Sequence, residues 1–428
     1  MAGVGFIGLG AMGLGMATNL LTHPQYTVTG FDVFTPKMDQ FCERGGATAA
    51  SPREVGCRSN FLICMAANSK QVHDILFNNQ TGALPVLPRN AIVLVCSTVN
   101  PTFHDELAGQ IADSGRSDVH VLDCPVSGGT KRAAEGTLTI FASGDAATLA
   151  GADGLLKSMS EVLNIVPGGA GAASKIKTVN QLLVGIHIAA AAEVMAVAAR
   201  AGLNTRQVYD LIVKSSGNSW AFENRVPHML QGDWTPHSAV DIFVKDMGIV
   251  IDSARELQFP LPMSSSVEQL YTFASGQGYG KEDDAGVVRI FLPSMTDAVA
   301  RLANATEQET ASFAKLLASM LAGIHAAAAA EAFLFAQRLG LDLHAVLTFL
   351  KSAAAWSWQF ERIGAQLLDG GAAITGHLFP ADLLADVEVG LKEARRLCCY
   401  VPILSSAHVI IMCACVRPGA PLSGSHSA

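Results

Sequence analysis

The chain predicts an open, parallel α/β sheet with helices on both faces, followed by a region that is helical throughout and contains a repeat of itself. Three observations lead there. Short apolar and β-branched runs alternate with helical patterns over the first 166 residues, strand-like patterns nearly vanish after the glycine-rich stretch Pro167–Gly171, and an alanine-rich segment returns in register 138 positions further on. Strands separated by helical stretches pair in parallel, since each crossover carries a helix back over the sheet. The resulting division is an α/β domain at residues 1–166, a helical domain at 167–293, a degenerate second copy at 296–416 and a tail at 417–428.

The elements follow in order. Val4–Ile7 is the first strand, Ala11–Leu21 carries apolar residues at helical spacing, and Thr27–Phe31 is the second strand. Asn60–Met65, Ala91–Cys96, Val119–Asp123 and Leu138–Ala142 are further strands, bounded by Asn, Pro, Gly or Ser. In the helical region, Gly185-Ile-His-Ile-Ala-Ala-Ala-Ala-Glu193 recurs as Gly323-Ile-His-Ala-Ala-Ala-Ala-Ala-Glu331. Ser219-Trp-Ala-Phe-Glu223 likewise recurs as Ser357-Trp-Gln-Phe-Glu361. Alanine-rich helices resemble one another by chance, but matched Ile-His, Trp, Phe and Glu in one frame do not.

Composition narrows the function classes. Half of the 428 residues are apolar, 15% are charged and the net charge is −8, which supplies ample core and no basic field for nucleic acid. Leu182–Ala199 is apolar but holds His187 and Glu193, so a buried helix is expected and not a membrane span; Ala407–Val416 is too short to cross a bilayer. The chain enters its first strand by Val4 without a basic leading segment, so a cytoplasmic protein without a targeting peptide is expected. Nine cysteines show no CxxC pairing, and Cys42, Cys57, Cys64, Cys96 and Cys124 read as small core residues of a reduced protein. No metal is expected, because partners at ligand spacing are missing.

Three motifs carry chemistry. Gly8-Leu-Gly-Ala-Met-Gly13 lies between the first strand and a helix. Gly8 makes the tight turn, Gly10 admits backbone N–H groups to a pyrophosphate, and Gly13 allows close packing, with Leu9, Ala11 and Met12 lining the turn. Asp32, nineteen residues beyond Gly13 at the end of the second strand, would accept hydrogen bonds from ribose hydroxyls and repel a 2′-phosphate, which favours NAD over NADP. Ser127-Gly128-Gly129 follows a strand at the sheet edge that faces the ligand crevice, where bare N–H groups and a hydroxyl suit a small carboxylate; alone, it is only a turn. Lys177, Asn180 and Gln181 stand at i, i+3 and i+4 on the first long helix, where a desolvated lysine would exchange a proton with a substrate hydroxyl. Without such neighbours it would read as a solvated helix lysine, and Lys175, two residues away, points elsewhere if Lys177 faces inward.

Together these motifs resemble the β-hydroxyacid dehydrogenase family, the group of 3-hydroxyisobutyrate dehydrogenase and tartronate semialdehyde reductase, over about residues 3–292. The family's turn glycine before the lysine is replaced by Ala173. Segments Gln181–Glu193, Gly217–Arg225, Ser238–Asp246 and Gly278–Asp284 are similar to the L-threonate dehydrogenase branch. The resemblance implies a Rossmann domain binding NAD, and oxidation of a small hydroxy acid, L-threonate at C2 before a 3-hydroxyisobutyrate or glyoxylate-type substrate. A nucleotide-binding scaffold without catalysis is the reading from another class. Implied roles are Lys177 as catalytic acid/base, Ser127, Gly128, Gly129, Asn180, Gln181 and Asn218 toward substrate, and Met65, Thr98 and Lys245 toward cofactor. In the second copy Lys177 becomes Lys315, Asn180 becomes Ala318, Asn218 becomes Trp356 and Lys245 becomes Ala385, so that copy is expected to be catalytically dead. Helical domains of this family pack between subunits, so a homo-oligomer or an intrachain pseudo-dimer is expected, with a small hydroxy acid as ligand and neither nucleic acid nor membrane as partner.

Overall fold

A computed structural model of the chain describes residues 1–295, 297–300, 305–369, 378–380 and 382–415. The expected tail at 417–428, and Thr296 and Val416 at the ends of the second copy, lie outside the described residues. Two compact units form, one of residues 1–180 and one beginning at Gln181, and the division falls within the helix Ala172–Arg200. The first copy from Gln181 onward and the second copy belong to the second unit, while the start of the first copy's long helix, Ala172–Asn180, belongs to the first; Pro167–Gly171 is the turn that precedes that helix.

In the first unit, strands β1 (Ala2–Ile7), β2 (Tyr26–Phe31), β3 (Ala47–Thr48), β4 (Phe61–Cys64), β5 (Ile92–Val95) and β6 (His120–Asp123) form one parallel sheet in the order β3-β2-β1-β4-β5-β6. Alternate residues serve opposite faces: Phe6, Ile63 and Leu94 join one core, while Ile7, Leu62, Cys64, Val93 and Val95 join the other. The direction of strand order reverses between β1 and β4, which opens a crevice beyond their carboxyl ends.

A second, three-stranded sheet departs from the expected all-parallel pairing. β7 (Val126–Ser127) runs antiparallel to β8 (Leu138–Ala142), and β8 runs parallel to β9 (Ser160–Ile165). β3 and β7 are two-residue strands, too short to leave a periodic signal, and β9 carries Glu161 and Asn164 along a half-exposed edge. Cys64, Cys96 and Cys124 are buried as expected, and burial pushes the Cys64 thiol up to about 12. Cys42 and Cys57 are exposed, a correction, because each lies at the solvent side of a short surface helix.

The second unit makes the repeat visible. Ala172–Arg200, Thr205–Ile212, Trp220–Gln231, Val240–Glu256 and Pro262–Ala274 recur as Glu307–Arg338, Leu343–Leu350, Trp358–Asp369, Leu383–Arg396 and Pro402–Cys415. The copies also exchange helix caps. The buried Glu193 carboxylate accepts the N–H groups of Ile403 and Leu404, both at 2.9 Å, while buried Glu331 accepts those of Met263 and Ser264, also at 2.9 Å. Each carboxylate therefore holds the orphan donors of a helix start in the other copy. Trp220 N–H donates to the Trp356 carbonyl at 3.0 Å and Trp358 N–H to the Asn218 carbonyl at 3.2 Å, a second reciprocal pair. Between the copies His187 and His325 meet edge-on with ring centroids 4.4 Å apart. Among the described residues, two helices are long and apolar enough to cross a membrane, Ala172–Arg200 and Glu307–Arg338, and they bury 94% and 83% of their most apolar stretch inside the fold.

Candidate active site

β1 ends at Ile7 and the chain turns at Gly8 with φ 99°, in the region glycine favours. A Cβ on Gly8 would lie 2.2 Å from the Met65 carbonyl oxygen, and one on Gly13 would lie 1.8 Å from the Gly8 carbonyl oxygen, so packing alone requires both glycines. Gly10 differs, for a Cβ there would meet nothing within 4 Å. It faces open space before the helix Gly13–Leu21, which no side chain caps; Ala11 and Met12, expected in that helix, belong to the turn. Open space before an uncapped helix start fits a pyrophosphate, held by backbone N–H groups and the positive end of the helix dipole.

The Asp32 carboxylate accepts the Leu9 N–H at 2.6 Å and the Phe34 N–H at 2.8 Å, which fixes it beside the glycine turn. Each oxygen keeps a lone pair for a ribose hydroxyl. The two residues that follow, Val33 and Phe34, are apolar and exposed, so neither offers a cation to a 2′-phosphate. Met65 and Thr98 follow β4 and β5 at the same carboxyl edge. Ser97 Oγ ties the two loops together, accepting the Ala66 N–H at 2.8 Å and donating to the Cys64 carbonyl at 3.3 Å.

The Ser-Gly-Gly segment is more than a turn. Ser127 is buried in β7, Gly128 and Gly129 take φ of 138° and 74°, and Gly129 opens the helix Gly129–Glu135. A Cβ on Gly129 would also meet nothing within 4 Å, leaving its backbone open to a ligand. Lys177 is only 7% exposed, Asn180 is fully buried, and Lys175 is half-buried. Ala173 lies in the first helical turn, where no positive φ is needed, so the replaced glycine costs the turn nothing.

One cluster escaped the sequence reading. Asp123, at the end of β6, is buried, and its Oδ2 accepts the Ser174 N–H at 2.7 Å and the Ser143 hydroxyl at 3.3 Å. Its Oδ1 accepts the Ser174 hydroxyl at 2.8 Å and lies 3.1 Å from His104 Nε2. Ser143 Oγ accepts the Ala173 N–H at 2.9 Å. Asp123 stood in the quoted Ser-Gly-Gly motif, but its partners are 19 to 51 residues away in sequence, beyond any local pattern.

In the second unit, Gln181 Nε2 donates to the Asp246 carboxylate, and Lys245 Nζ lies 2.8 Å from Asp246 Oδ1. Asp246 is the residue that orders both and was not singled out from sequence. Asn218 is buried at the junction of the copies, where its Nδ2 donates to Glu223 Oε1 at 2.7 Å.

A parallel sheet with a glycine turn at its switch point, an acid closing its second strand and a buried lysine beyond its last strand defines a dinucleotide-dependent oxidoreductase. Family profiles agree: that of the NAD binding domain of 6-phosphogluconate dehydrogenase matches residues 3–169, and that described as NAD-binding of NADP-dependent 3-hydroxyisobutyrate dehydrogenase matches twice, at 171–291 and 310–421. The chain belongs to the 3-hydroxyisobutyrate dehydrogenase family and is an NAD(P)-dependent hydroxyacid dehydrogenase. It is 43% identical over 288 residues to the L-threonate dehydrogenase of Cupriavidus necator, covering 67% of this chain and 95% of that one. To the mitochondrial 3-hydroxyisobutyrate dehydrogenase of Mus musculus it is 32% identical, covering 66% and 85%. The crystal structure of a 3-hydroxyisobutyrate dehydrogenase from Salmonella typhimurium matches with a TM-score of 0.63 and 40% identity, over 68% of this chain and all of that one.

Proposed function

We propose that the chain oxidises L-threonate at its C2 hydroxyl to the 2-oxo acid with NAD, using Lys177 as the acid/base. The observation that carries the proton-transfer role is the burial of a lysine, 7% exposed, one turn beyond the capped start of its helix. Identity to L-threonate dehydrogenases supports the substrate. A bound nicotinamide would supply the acceptor for the hydride that leaves C2. Lys177 accepts the hydroxyl proton and stabilises the charge that develops on the substrate oxygen. Ser127 and the N–H groups of Gly128 and Gly129 hold the substrate carboxylate, Asn180, Gln181 and Asn218 serve its hydroxyls, and Lys245 serves the cofactor's nicotinamide end. The Asp32 carboxylate, followed by apolar Val33 and Phe34, supports NAD as the preferred cofactor.

Initial rates with L-threonate, erythronate, 3-hydroxyisobutyrate and glycerate, each with NAD and NADP, test this reading. L-threonate with NAD should give the highest kcat/KM, and Lys177→Ala should lower its turnover by about 10²–10⁴-fold while NADH still binds. A higher kcat/KM on 3-hydroxyisobutyrate or with NADP would replace the substrate or cofactor. Undiminished turnover in Lys177→Ala would remove the lysine from the chemistry.

A further inference from the structure

We propose that Asp123 is a positioning residue that fixes the acid/base helix and the carboxylate-binding loop to each other. This rests on the roles given above to Lys177 and to Ser127–Gly129. The long helix begins at Ala172, and two of its first N–H groups, on Ala173 and Ser174, have no acceptor within the helix. They are taken instead by Ser143 Oγ and Asp123 Oδ2, from the ends of β8 and β6. Lys177 follows Ser174 by three residues, so the height of the helix start sets the position of its amine.

Asp123 is also the first residue of the segment that leads to Ser127. Its backbone exchanges hydrogen bonds with Ser143, N–H to carbonyl at 3.0 Å and back at 2.9 Å. One residue therefore anchors the loop through its main chain and the helix through its side chain. Both attachments are dry, with Asp123, Ser143, Ser174 and His104 all at most 1% exposed.

The chemistry explains why the residue is an acid. Four donors converge on the side chain: the Ser174 N–H, the hydroxyls of Ser174 and Ser143, and His104 Nε2, which lies 3.1 Å from both Oδ1 and Ser174 Oγ. A carboxylate offers two acceptor oxygens to these donors, whereas an amide offers one and brings two donors of its own. Asn at this position would leave a buried donor facing a donor. The negative charge also lies at the positive end of the dipole of the helix that carries Lys177.

The test uses the full chain, NAD and whichever hydroxy acid the wild type oxidises fastest, so it does not depend on threonate being the substrate. Asp123→Asn should lower kcat about 10²-fold, raise KM for the hydroxy acid and leave KM for NAD within twofold. Its acid limb in the kcat–pH profile should move to lower pH, because the lysine ammonium loses a stabilising charge. Ser174→Ala keeps the charge and should lower kcat less, with the acid limb unmoved. Unchanged kcat in Asp123→Asn, or a loss that only tracks the folded fraction with the acid limb unmoved, would overturn the assignment. Where Asp123→Asn does not fold, the Ser143→Ala/Ser174→Ala double variant decides: a fall in kcat at constant KM for NAD supports the role, and no fall overturns it. Failure of the lysine reading shows separately, as undiminished turnover in Lys177→Ala.

Discussion

The two helical copies share five matching helices and cap each other reciprocally, yet they differ at the polar positions proposed for the active site in the first. Glu193 and Glu331 perform one capping task in opposite directions, and Ser219 and Ser357 cap equivalent helices with 3.1 Å bonds to Phe222 N–H and Phe360 N–H. Lys177 is buried, whereas Lys315 is exposed. Where Gln181 donates to Asp246, Ser319 Oγ donates to Asp386 at 3.0 Å. Trp356 stands in the place of Asn218 and makes its bond, donating from Nε1 to Glu361 Oε2 at 3.1 Å. Each copy is the other's packing partner, so a change in a capping residue is felt by both. Only the first copy directly follows the nucleotide-binding domain in the chain.

That contrast is sharpest in turnover. Lys315→Ala should leave kcat within twofold of wild type in the assay where Lys177→Ala loses about 10²–10⁴-fold. A comparable loss in both variants would mean that the second copy takes part in catalysis.

The next effect is on stability, and it should be symmetric. Glu193→Ala and Glu331→Ala each leave two buried N–H groups without an acceptor, at a cost of about 1–3 kcal/mol per unpaired group. Urea unfolding should give similar losses for the two variants. A large loss in one and none in the other would show that the exchange of caps is not reciprocal in solution.

A smaller effect concerns pH. Burial pushes His325 down to about 3, and burial together with the neighbouring His325 holds His187 well below the ordinary histidine range. An unfolded histidine takes up its proton near pH 6.5, which the folded chain refuses. The unfolded state therefore binds more protons as pH falls, so this contribution is whole above about pH 6.5 and is lost progressively below it. Thermal melts at pH 7 and pH 5 should show a drop for the wild type and a smaller drop for His187→Leu/His325→Leu. Equal drops would place the sensitivity on other groups.

Much of this organisation was legible in the sequence because it is local or periodic. The glycine turn, Asp32, the buried strands and the Lys177–Asn180–Gln181 face each occupy one element, and the repeat declares itself by register. Three kinds of feature were not legible. β3 and β7 are two residues long and exist through their neighbours, not their own propensity. The cluster around Asp123 joins residues from four elements, and His104 gives no signal at all in sequence. The exchange of Glu193 and Glu331 between copies requires knowing that the copies face each other, which the matched glutamates alone do not say.

We propose that the second copy supplies, within one chain, the packing partner that the first would otherwise find in another subunit. Light scattering coupled to size exclusion on the full chain and on residues 1–292 tests it most directly. The full chain should have the mass of one chain, and the shortened one should either form a dimer of itself or lose its thermal transition. The same assembly state and the same melting temperature for both would contradict it.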